Sequence, residues 1–280
     1  MIYHGVEPVQ KDTRDFSFPR TFGSANPTAF PEEFSCDAGL TMPDQNADGL
    51  PFGCTGYTQS ELCIDEDRKF YKPSYTYDKT RYMEGTDGQQ VGCNIRNSLN
   101  STIVYGVQAE NESTDGEAMQ HRRAQYFNVS DVTYLDDFDD IRNALWLNKL
   151  DNRAVSIGTP WLPERAMAPQ GIVTDVFTYD GNPNHYNWHN WKICGWKQIN
   201  GEPYLIGKTW QGKYVGDNGW LYFSRATINK VMAIPQVAAF TLAQSRPDDV
   251  QTVRNSTIAT ILETVVIYLM REIALIRQKI

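Results

Sequence analysis

At Asn152 the chain changes its period, and that change limits the available folds more than any single residue does. Before it, apolar residues recur at helical spacing. The stretch from Thr55 to about Tyr71 reads as a first helix and NIRNSLNSTIVYG (94–106) as a second, closed by Gly106 as C-cap. DDFDDIRNALWLNKL (136–150) reads as a third, with acidic residues in the first turn, where the helix dipole favours them. After it, RAVSIGTPWL, GIVTDVFTY, NWKICGWKQ, EPYLIGKTW and GWLYFSR are short β-branched and aromatic runs split by Gly, Pro and Asn, the signature of strands. A helical half followed by an antiparallel half predicts an α+β architecture with a cleft between the two. Residues 1–53, rich in Pro, Gly, Asp and Phe without a sustained period, read as extended chain wrapped on that body.

Bulk properties exclude several function classes. A net charge of −8, with Lys and Arg scattered, lacks the basic footprint that phosphate binding needs, so no nucleic-acid partner is expected. No stretch approaches the roughly 20 apolar residues of a membrane span. The opening residues have no basic segment followed by an apolar one, so no signal peptide is read, and a cytoplasmic or virion-associated setting is expected. The five cysteines match no zinc spacing, which predicts free thiols and no metal or other cofactor. In TIATILETVVIYLMREIALIRQKI, Ile258, Leu262, Val265, Leu269, Ile273, Ile276 and Ile280 follow steps of three and four. Residues 250–280 therefore read as an amphipathic helix that packs on its own domain or gathers copies of the chain, as a homo-oligomer or a subunit docked to a larger assembly.

Cys54 lies between a Gly/Pro-rich turn and the start of the first helix. A thiol becomes a nucleophile when its pKa falls, and a helix N-terminus beside an imidazolium is one setting that does this. His189, in NWHNWKICGW, follows it by 135 residues. Cys36, Cys63 and Cys194 read as packing, His4, His121 and His185 as surface or loop residues, and Trp188, Trp191, Trp196, Trp210 and Trp220 as cleft walls and core.

Around these two residues the chain resembles the papain family of cysteine peptidases. PEEFSCDAGLTMPDQNADGLPFGCTGY is similar to the family's lead-in to Gly-x-Cys, and HNWKICGWKQINGEPYLIGKTWQGKYVGDNGWLYFSR to its His-Ala-Val … Lys-Asn-Ser-Trp-Gly … Asn-Gly-Tyr block. GCNIRNSLNSTIVYGVQAE and DDIRNALWLNKLDNRAVSIG resemble segments between them, so the likeness spans about residues 30–230. It implies a papain-like two-lobed α+β fold, with a helical left lobe and an antiparallel barrel-like right lobe. The expected order is an extended arm (1–35), a peptidase domain (36–240) and the C-terminal helix (250–280).

Carried over by residue, the resemblance gives Cys54 the nucleophile's role, His189 that of general base and acid, and Gln45 that of oxyanion-hole donor to a peptide or protein substrate. Gln45 stands nine residues before the cysteine, so NADGLPF carries an insertion. The orienting asparagine is replaced: an ungapped alignment puts Thr209 there, a tryptophan-anchored one Lys208, and Asn187 is a neighbouring candidate. Cys93 resembles a family cysteine whose disulfide partner would fall near Pro51, so that bridge is missing. These departures leave two expectations open, a thiol hydrolase and a catalytically weak structural or binding subunit, for instance of a virion or phage tail.

Overall fold

Helix ends in this chain are written in its capping residues. The computed structural model describes residues 6–7, 16–17, 30–39, 43–67, 70–109, 129–150, 152–161, 168–174 and 178–244, and the proposed C-terminal helix lies outside them. Helix α1 runs Cys54–Asp67. Helix α2, Pro73–Glu84, has Pro at its start, where no N–H is needed, and ends on Gly85 at φ 70°. Helix α3, Ile95–Tyr105, is capped by the Asn94 side chain, which accepts from the N–H groups of Arg96 and Asn97. Helix α4, Phe138–Leu147, is capped by Asp137, and α5, Arg225–Met232, by Ser224. The first helix begins one residue earlier than the sequence predicts, and Tyr71, where the sequence reading ends it, lies outside it in a bridge to Ala109. Helices α2 and α5 were not expected: the aromatic run in α2 and the strand-like GWLYFSR masked them.

The strands are β1 (Val6–Glu7), β2 (Phe16–Ser17), β3 (Phe34–Ser35), β4 (Cys93–Asn94), β5 (Val129–Leu135), β6 (Val155–Trp161), β7 (Ile172–Val173), β8 (Asn187–Ile199), β9 (Glu202–Lys208), β10 (Trp220–Ser224) and β11 (Ala238–Gln244). One nine-stranded sheet has the order β2-β5-β11-β6-β8-β9-β10-β7, with β3 added beside β8. Apart from the parallel edge pairs β2–β5 and β7–β10 it is antiparallel. The mixture of helices and a mostly antiparallel sheet is α+β.

Strand β8 is the centre of this arrangement. It is buried without a break from Trp188 to Trp196, with α1 and α4 packed against it. Trp191, Trp196 and Trp210 are almost fully buried, each contributing on the order of 2 kcal/mol or more by area removed from water. Two glycines permit backbone approaches that a side chain would block. A Cβ on Gly56 would lie 2.5 Å from the Pro73 carbonyl, where α1 meets α2, and one on Gly195 would lie 2.0 Å from the Phe34 carbonyl, where β3 meets β8. Among the described residues no helix is long and apolar enough to cross a membrane.

Candidate active site

Cys54 is the first residue of α1, so its side chain sits where the helix has unpaired N–H groups. It is fully buried. Burial pushes its thiol up to about 12, partly offset by the backbone N–H groups of Asn190, Thr55 and Cys54 itself. The Asn190 amide comes from the residue after His189.

The contacts that join the two elements are specific. Thr58, one turn along α1, donates its hydroxyl to the Cys54 carbonyl (2.8 Å) and lies 3.3 Å from the Asn190 carbonyl. The Trp210 indole N–H donates to the same Asn190 carbonyl and to the Thr58 hydroxyl, both at 2.9 Å, and its ring stacks on Tyr57 at 6.1 Å. Asn190 also accepts from Ser156 Oγ through its side-chain oxygen at 3.1 Å. Helix α1, strand β8 and the segment after β9 are thus locked together beside the sulfur.

His189 pairs with Thr159 across β6 and β8 and stands edge-on to Trp191, ring centroids 4.8 Å apart. Trp191 is fixed in turn by donating to Thr159 Oγ1 at 2.9 Å. His189 is 2 % exposed, and burial pushes its imidazole down to about 3. At neutral pH the thiol and the imidazole are both uncharged.

Gln45 is held by its backbone: its N–H donates to the Trp210 carbonyl (2.7 Å) and its carbonyl accepts from Leu50 (2.7 Å). Its side-chain amide donates to the Pro51 carbonyl at 2.8 Å, three residues before Cys54. An amide carries two N–H bonds, so one remains for another acceptor. The inserted loop is pinned to α1 by a 2.6 Å bond from Tyr57 OH to Asp48. On that loop's other side a cavity of about 410 Å³ is lined by Asp48, Leu50, Tyr57, Glu61, Phe70 and Tyr71, and by none of the residues named as catalytic.

The two candidates for the orienting position part company. Lys208 Nζ lies 2.8 Å from Glu61 and 3.3 Å from Asp37, in a buried ionic group. Thr209 is fully buried, donates its N–H to the Gly219 carbonyl at 3.2 Å, and among the described residues its hydroxyl has no hydrogen-bond partner. Asn187 begins β8, opposite Trp161. All five cysteines are free and buried. Asn190, Thr58 and the ionic group were not foreseen: a backbone amide leaves no mark in sequence, although Thr four residues after Cys54 fits a helix-turn contact.

No protein-family model matches the sequence, and no curated protein matches it either. Solved structures do. Xylellain, a cysteine protease from Xylella fastidiosa, is similar at a TM-score of 0.62 and 14 % identity, covering 88 % of this chain and 97 % of that one. Digestive procathepsin L 3 of the Tenebrio molitor larval midgut gives 0.58 and 12 %, covering 86 % and 77 %. Bromelain from Ananas comosus, solved with the E64 inhibitor, gives 0.51 and 12 %, covering 77 % and 100 %.

Proposed function

We propose, from the premise of a divergent papain-like cysteine-protease fold, that the chain is a thiol hydrolase that cleaves peptide bonds through an acyl-enzyme. Cys54 attacks the carbonyl carbon while His189 takes its proton, and the same ring then protonates the leaving amine and activates water for deacylation. The oxyanion is held by the Cys54 N–H and the second N–H of Gln45. Thr209 is assigned the orienting role, which is supported by the engagement of Lys208, the other candidate, with carboxylates.

One observation carries this reading: Cys54 opens a 14-residue helix whose next turn is tied, through the Thr58 hydroxyl and the Trp210 indole, to the carbonyl of Asn190, the neighbour of His189. The test is hydrolysis of a generic fluorogenic peptide under reducing conditions. Cys54→Ala should lower the rate to background with the melting temperature unchanged, and equal rates in parent and variant would remove Cys54 from the reaction.

A second reading, a binding subunit of this fold, is favoured by the complete burial of Cys54 and His189. It requires a parent that is inert towards peptides and whose Cys54 reacts with iodoacetamide no faster than the other four thiols.

A further inference from the structure

Three elements carry the proposed site: α1 with Cys54, β8 with His189, and the end of β9 that leads into Thr209. Each also sends a charged side chain to one buried point. Lys192, three residues after His189, places Nζ 2.9 Å from Glu61 Oε2 and 2.8 Å from Asp65 Oδ2, and also bonds Asp37. Lys208, immediately before Thr209, reaches the same Glu61 oxygen and Asp37. Glu61 and Asp65 lie two and three turns along α1 from Cys54. Asp37 follows β3, and the Ala38 N–H donates to Asp65 Oδ1 at 2.8 Å. The lysine side chains are 0–1 % exposed and the carboxylates 0–7 %.

Neither side can bury its charges alone. The carboxylate oxygens of Asp37, Glu61 and Asp65 lie within 4.8 Å of one another and would repel without intervening cations. Two lysines on adjacent strands, Lys192 opposite Lys208, would repel without intervening anions. Only one register of helix against sheet satisfies both sets, and a slip strands a buried charge, which is far more costly than a lost apolar contact. Buried ion pairs are weak sources of stability but effective at selecting one arrangement.

We propose that Lys192 and Lys208, with Asp37, Glu61 and Asp65, are positioning residues that key α1 to β8 and β9 and so hold the Cys54 sulfur in register with His189 and Thr209. The roles of the latter three rest on the hydrolase reading above. The ionic residues touch no substrate and act only through the elements they join.

The test uses the full chain. Lys192→Met alone leaves Asp65 buried without its ammonium and is expected to fold poorly. The informative variant is therefore Lys192→Met with Asp65→Asn, which removes one charge of each sign and keeps the Ala38 bond. Its melting temperature should stay within a few degrees of the parent's. Its kcat should fall at least tenfold with KM within twofold, as expected when the reacting groups are misaligned but the substrate surface is intact. Independently, the pH profile of Cys54 alkylation by iodoacetamide should differ between the parent and His189→Ala, and that difference should vanish when the double variant carries His189→Ala. A folded double variant that retains the parent's His189-dependent profile overturns the positioning role, whatever the hydrolysis shows. A parent that hydrolyses nothing, yet whose His189-dependent alkylation is lost in the double variant, upholds positioning and overturns the peptidase.

Discussion

Burial displaces the Cys54 thiol and the His189 imidazole in opposite directions, up to about 12 and down to about 3. On the proposed hydrolase reading, attack from this pair requires the proton to pass from sulfur to ring as the new bond forms, so ring orientation bears directly on rate. An amide oxygen fixes the tautomer better than a hydroxyl does, and Thr209→Asn should leave kcat/KM equal or raise it by up to about tenfold, roughly 1.4 kcal/mol of transition-state stabilisation. A loss of activity in that variant at unchanged melting temperature would remove Thr209 from the orienting role. Cys54, His189 and Gln45 were readable as candidates because their side-chain chemistry is distinctive and their spacing resembles a known pattern. The Asn190 amide was unreadable, since every residue but proline has one. The surroundings of Lys208 were equally hidden, because its carboxylate partners come from two segments far away in the chain.

At the scale of elements, legibility followed the strength of local signals. Helix α3 and the start of α4 were found to within two residues because Asn94, Gly106 and Asp137 mark those ends by hydrogen bonds that the side chains or backbones make, whereas the end of α4 was placed three residues too far. Helix α2 carries equally good punctuation in Pro73 and Gly85, but its aromatic interior competes with a strand reading, and tertiary packing decides. The eight residues of α5 are too few for periodicity to speak. The strands of the second half up to β10 were legible as runs, but β11 and the strand order were not: nothing in residues 238–244 announces that they pair with both β5 and β6. Helix α1 carries Cys54 at one end and, further along, Glu61 and Asp65, whose carboxylates meet Lys192 and Lys208 of the sheet.

For the whole molecule, the buried titratable groups set the acid and neutral limits of stability. His189 titrates near 3 when folded, below the roughly 6.5 of a free imidazole, so its contribution is complete above about pH 6.5 and is lost as pH falls towards 3. Asp37 and Glu61 are held below the usual carboxylate range by Lys192 and Lys208 despite their burial, and their contribution too is lost on acidification. Asp65 runs the other way. Burial raises it to about 6, so its contribution is present below about 3.9 and is lost as pH rises through 6. In urea titrations at pH 4, 5.5 and 7, Asp65→Asn should therefore gain on the parent as pH rises, and His189→Gln should gain on it as pH falls. Parallel curves for parent and variants would refute both assignments.

The position of β11 has a further consequence, one of timing. The last described strand fills the gap between β5 and β6, and Tyr134 bonds Val237 across 103 residues of chain. During synthesis β5 and β6 therefore leave the ribosome with open edges, which only the end of the sheet can close. A long wait with unpaired strands favours aggregation, and closing such distant pairs makes folding slow. Refolding from urea should accordingly take milliseconds to seconds rather than microseconds, and a chain ending at Gln236 should fail to give soluble protein. Soluble, folded material from that shorter chain would show that the sheet closes without its final strand.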